Sequence, residues 1–89
     1  MDHIVPEVGK FYYCARHLYD NVRDPDRAYS GLWITHVTKV VLDAEYFRGD
    51  DLWLDGHDFD TDVESQFNDI ERLATDAEVK EFLLRTAVK

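Results

Sequence analysis

Residues 32–42, LWITHVTKVVL, constrain the fold more than any other stretch. Ile, three Val and two Thr in eleven positions favour the pleated backbone, because branching at Cβ suits a strand and crowds a helix. Alternation places Leu32, Ile34, His36, Thr38, Val40 and Leu42 on one face, and Trp33, Thr35, Val37, Lys39 and Val41 on the other. Both faces carry large apolar groups. A strand that must be covered on two sides belongs in the middle of a sheet, with further layers around it.

The flanking segments supply candidates for those layers. VGKFYYCARHLY is rich in aromatics and reads as a strand from about Val8 to Leu18. DNVRDPDRAYSG comes next as a loop, with a turn at Asp24-Pro25-Asp26 and Gly31 at its close. AEYF-RGDD-LWLD reads as a hairpin with Gly49 in its turn and Leu52–Leu54 on the return strand. Asp55-Gly56 marks the next turn.

From Thr61 the pattern changes. TDVE (61–64), NDIE (68–71) and TDAE (75–78) recur every seven residues. Thr61 with Glu64, and Thr75 with Glu78, each satisfy the capping-box spacing that starts a helix. Val63, Phe67, Ile70 and Ala74 form a stripe at helical spacing, with Leu73 beside it. An unbroken helix would turn Val79 and Leu83 to the face opposite Val63. A break at Ala74–Thr75 returns Val79, Phe82, Leu83 and Thr86 to the core side. The expectation is an α+β fold: a small antiparallel sheet of three to four strands over about residues 8–59, then two helices, about 62–73 and 76–87, packed on one face. A small β-barrel with a helical tail is the competing architecture. At 89 residues the chain is expected to form a single domain without a linker.

Charge narrows function. The chain carries nineteen acidic and ten basic residues, a net charge of −9. Residues 1–42 balance five acids with five bases. Residues 43–89 hold fourteen acids against five bases and so carry the whole excess. Phosphates are held by Lys and Arg, so direct binding to nucleic acid or to an anionic membrane is not expected. No run of residues is apolar for long enough to span a bilayer. MDHIVPEVGK has no apolar core of a secretory signal, and one cysteine, Cys14, permits no internal disulfide; a reducing cytoplasm is the expected setting.

Specific chemistry finds little purchase. A twelve-residue calcium loop begun at Asp58 puts Val63 where a glycine must turn and Asp69 where a bidentate Glu belongs. Begun at Asp51, it puts Trp53 at a ligand position. His3, His17, His36 and His57 lack the pairing of a zinc site. Cys14 and His17, three apart on a strand, would face opposite ways. His36 reads as a half-buried histidine among apolar neighbours. There is no phosphate-binding glycine loop and no serine nucleophile motif. No enzyme activity, metal or cofactor is expected.

The acids themselves offer more. In helices, Asp62, Asp69 and Asp76 would form one row and Glu64, Glu71 and Glu78 another, with about 10 Å between members. Asp43, Glu45, Asp50, Asp51, Asp55, Asp58 and Asp60 extend the charge, and Trp53 among them could anchor an interface or serve the hairpin core. The sequence-based expectation is a non-enzymatic protein that binds, and inhibits, a basic nucleic-acid-handling protein through the surface of residues 43–81. Its contact residues would be Asp50, Asp51, Trp53, Asp55, Asp58, Asp60, Asp62, Glu64, Asp69 and Glu71. In size and charge the chain resembles the DNA mimics and compact inhibitors that bacteriophages make against host nucleases and defence complexes. The alternative is a structural or regulatory subunit that oligomerises and uses its acids for solubility.

Overall fold

A computed structural model describes residues 4–16, 31–54 and 59–87. Among these residues, five strands, a 3₁₀ turn and one helix make an α+β domain. The strands are β1 (Phe11–Arg16), β2 (Gly31–Val41), β3 (Tyr46–Trp53), β4 (Phe59–Gln66) and β5 (Ile70–Leu73). The 3₁₀ turn, Phe67–Asp69, joins β4 to β5, and α1 spans Asp76–Ala87. Every pairing is antiparallel and the order across the sheet is β4-β3-β2-β1-β5. As the two-faced pattern of residues 32–42 demands, β2 is the central strand.

The order has a geometric consequence. β4 and β5 lie at opposite edges, yet only three residues separate them. Across a flat sheet of five strands the edges would stand about 19 Å apart. Four Cα steps reach at most about 14 Å, and fewer in a 3₁₀ turn. The sheet must therefore curl, bringing its edges toward each other around an inner face. That face holds Tyr12, Cys14, Trp33, Val37, Phe47, Phe67 and Ile70 as one buried cluster. The outer face holds Ile34 and Leu52, packed with Phe82 of α1 and flanked by Phe11, Leu54, Phe59 and Ala74.

Four expectations are corrected. The segment expected as a first helix, 62–73, is β4, the 3₁₀ turn and β5, so among the described residues the sheet has five strands and there is one helix, α1. Its helical stripe was ambiguous, because Val63, Ser65 and Phe67 also share a face at period two. Ser65, buried at that face, hides the alternation by being polar. Pairing to the long edge of β3 then outweighs local preference.

RGDD is no turn either: β3 runs unbroken from Tyr46 to Trp53. Gly49 stands inside it because a Cβ there would collide with Thr35 Oγ1 and lie 2.7 Å from the His36 carbonyl oxygen. The chain reverses instead at residues 42–45, where Glu45 takes φ 55° and its N–H donates to the Leu42 carbonyl at 3.2 Å.

The faces expected for residues 32–42 hold only as far as Val37. A register shift between Val37 and Lys39 lets Val40 join the inner cluster. β1 begins at Phe11, not Val8. Its expected continuation to Leu18, the Asp24-Pro25-Asp26 loop and the Asp55-Gly56 turn lie outside the described residues.

Candidate functional site

A group of exposed acids lies on edge strand β4. Asp60, Asp62 and Glu64 are all exposed there. β4 carries one residue more than β3 opposite it: Gly49 pairs with Val63, but Asp51 pairs with Asp60. Thr61 and Asp62 absorb the extra residue, and Asp62 adopts φ 55°, a left-handed conformation that Asp tolerates better than most side chains.

Two β3 side chains satisfy the backbone of that bulge. The Asp62 N–H donates to Asp50 Oδ1 at 3.2 Å, and Arg48 Nη1 donates to the Asp62 carbonyl at 2.8 Å. The same guanidinium lies 3.4 Å from Asp62 Oδ1 and 3.6 Å from Glu64 Oε1. Arg48 thus holds two carboxylates side by side on the strand, where they would otherwise repel. Its own carbonyl accepts a hydrogen bond from Thr38 Oγ1 at 3.2 Å.

Trp53 closes the other end of the surface. Its ring packs on Trp33, centroids 4.8 Å apart, and covers Gly31, where a Cβ would come within 2.6 Å of Trp53 Cζ3. The indole N–H donates to Asp60 Oδ2 at 3.3 Å. The half-buried ring is therefore packed against the inner cluster, and it fixes the Asp60 carboxylate in place.

The other expected contact residues scatter. Asp51 is fully buried, at 0% exposure, across from Thr35 on β2 and Asp60 on β4. Asp69 is buried as well; its Oδ2 accepts the Gln66 N–H at 3.0 Å and so shapes the 3₁₀ turn. Asp50 is half-buried behind the bulge. Glu71 is exposed, but on β5 at the opposite edge. Asp55 and Asp58 lie outside the described residues. The two seven-residue rows of acids do not exist, since their members fall on a strand, a 3₁₀ turn and a helix. Arg48 is the residue that sequence reasoning missed. Its role depends on cross-strand pairing, which a turn at RGDD would have abolished.

Other chemistry is equally dispersed. Cys14 is buried on the inner face, while His36 stacks on Phe11 on the outer one, with ring centroids 4.4 Å apart, so the two cannot form a dyad. Among the described residues no three His, Cys, Asp or Glu side chains are grouped to hold a metal ion. Both calcium-loop frames fall largely on strands, where successive side chains turn to opposite faces. A depression of about 210 Å³ between the residue 42–45 turn and the 3₁₀ turn is lined by Ala44, Glu45, Gln66, Phe67 and Asn68. It is smaller than most ligand pockets, which start at about 300 Å³. No helix among the described residues is long and apolar enough to cross a membrane.

No known family, curated protein or solved structure matches the chain. The residues alone carry the functional reading.

Proposed function

We propose that the protein is a non-enzymatic binding domain that docks on, and inhibits, a basic nucleic-acid-handling protein through the acidic edge strand β4. The observation that supports this is the exposure of Asp60, Asp62 and Glu64 along an edge, the last two sharing the guanidinium of Arg48. On a strand rising about 3.3 Å per residue, alternate side chains recur about every 6.6 Å. Phosphates of one DNA strand advance by about 3.4 Å along the helix axis. Asp62 and Glu64, alternate residues beyond the bulge, thus offer a groove of Lys and Arg two charges at about every second such step, with Asp60 set apart by the bulge. Charge of this kind steers encounter and weakens with salt.

The test is capture from lysate on immobilised protein, at low and high salt and with duplex DNA as competitor. The expected result is a nucleic-acid-handling protein that both salt and DNA displace, and whose capture is lost when Asp60→Asn, Asp62→Asn and Glu64→Gln are combined. Capture that survives the triple change removes the basis of the reading.

A second reading, a subunit that assembles with its own kind, draws on Leu73, Leu83 and Leu84, each more than half exposed. It expects a solution mass above that of one chain by light scattering, unaffected by the triple change.

A further inference from the structure

Among the described residues, helix α1 is attached to the sheet by few contacts, and they are of two kinds. The first is one buried side chain. Phe82 meets the rings of Phe11, Phe59 and His36 edge-on, at centroid distances of 5.1, 5.8 and 6.2 Å. It is the helix's only buried residue; Leu83 and Leu84, its neighbours, are 52% and 58% exposed.

The second attachment is polar and sits at the helix N-terminus. Arg72 of β5 lies with its guanidinium carbon 4.2 Å from the centre of the Tyr13 ring of β1. From there it grips Glu78 with two hydrogen bonds, Nη1 to Oε1 at 2.7 Å and Nη2 to Oε2 at 3.0 Å. Glu78 in turn accepts the Thr75 N–H at 2.8 Å, and the Glu78 N–H donates to Thr75 Oγ1 at 3.2 Å. One carboxylate therefore both starts the helix and ties it to the sheet.

A helix of twelve residues is marginal in water without tertiary support. The strands below it are held differently, each central one paired along both edges. Elements with few buried contacts open at lower free energy than the core they rest on. We propose that α1 is a latch: it undocks and melts as a unit while the five-stranded sheet stays folded, uncovering the apolar outer face of Phe11, Ile34, Leu52 and Phe59, with the Arg72–Glu78 pair setting how often it opens. This is independent of the acidic-edge reading.

The latch has a definite pH dependence. Hydrogen bonds from Arg72, chiefly, and from the Thr75 N–H hold the Glu78 carboxyl below its ordinary range, against a smaller opposing effect of burial. A carboxylate lowered in the docked state stabilises docking fully above its undocked value, about 4.3, and that stabilisation is lost as pH falls through the docked value. The charged and titratable groups facing Glu78 are Arg72 and, behind it, Tyr13. His36 of β2 lies beneath Phe82, with Asp50 opposite it on β3. Glu81 and Arg85 pair along the helix itself.

Native-state hydrogen exchange on the intact chain, corrected for intrinsic rates, tests the latch. Glu78→Gln keeps the capping spacing, which Gln also fills, and removes the charge. The expected result at neutral pH is α1 amides that exchange faster than those of β2 and β3 in the native protein, and a further roughly threefold to fivefold in the variant, the scale of a partly exposed ion pair. The β2 and β3 amides should not change. Lowering the pH from 5 toward 3.5 should speed α1 opening in the native protein and do so less in Glu78→Gln, which separates Glu78 from His36 and Asp50. In Phe82→Ala, α1 should lose protection while the sheet keeps it. Equal protection of α1 and β2, or a loss of sheet protection in step with α1 in either variant, overturns the proposal.

Discussion

TDVE at 61–64 and TDAE at 75–78 differ by one apolar residue, yet the first lies in a strand and the second opens a helix. At 75–78 the capping box closes, each end donating to the other. At 61–64 the same side chains are used differently: Asp62 turns left-handed within a bulge, and Glu64 reaches across to Arg48. The two segments part company through their C-terminal neighbours and through the backbone alongside them. VKEFLLRTA after Glu78 contains Lys, Glu, two Leu, Arg and Ala, good helix formers, whereas SQFNDI after Glu64 is poor in them. Beside the first segment runs the open edge of β3, whose backbone groups need partners. A capping motif nominates a helix; the next two turns and the neighbouring strand decide it.

Substitutions can break or sharpen that contrast. The largest effect should come from Gly49→Val, beside Val63 of the first segment. The added side chain meets Thr35 and the His36 carbonyl, and urea unfolding should show a loss of about 3 kcal/mol, at the upper end for overpacking. Next is the bulge. Asp62→Val places a β-branched residue at φ 55° and should cost about 2 kcal/mol, while Asp62→Gly, which suits that backbone and keeps the Arg48 bond to the carbonyl, should stay within about 0.5 kcal/mol of the parent. A similar loss in both would mean the carboxylate, not the backbone, matters. Thr75→Ala should cost about 1 kcal/mol through the lost cap, read as reduced α1 protection or helical circular dichroism. Thr61→Ala, the matching change in the strand, should fall within about 0.5 kcal/mol. Equal effects at 61 and 75 would erase the distinction.

The parts that were legible in the sequence rest on local signals. β2 announces itself by β-branched residues on both faces, and α1 by Thr75, Glu78 and the helix formers behind them. β4 and β5 were not legible, because Ser65 interrupts the alternation that would have revealed a strand and two heptad-spaced motifs suggested a helix. The misreading of β3 carried into the acidic surface. Once β3 runs straight, adjacent Asp50 and Asp51 must take opposite faces, and one of them must go inside. A charged residue is the least expected occupant of an interior, so Asp51 looked like surface. Asp60, Asp62 and Glu64 are exposed, but on a strand edge where a helix was expected.

The short 3₁₀ link between opposite edges bears on how the chain is made. β1 finds its second neighbour only when position 73 can reach position 12. A chain emerging from its N-terminus must therefore carry the aromatic strand FYYCAR with one bare edge until β5 has been made. Such long-range closure slows folding. β5, made after the other four described strands, is thus the one that protects β1 from pairing with strangers.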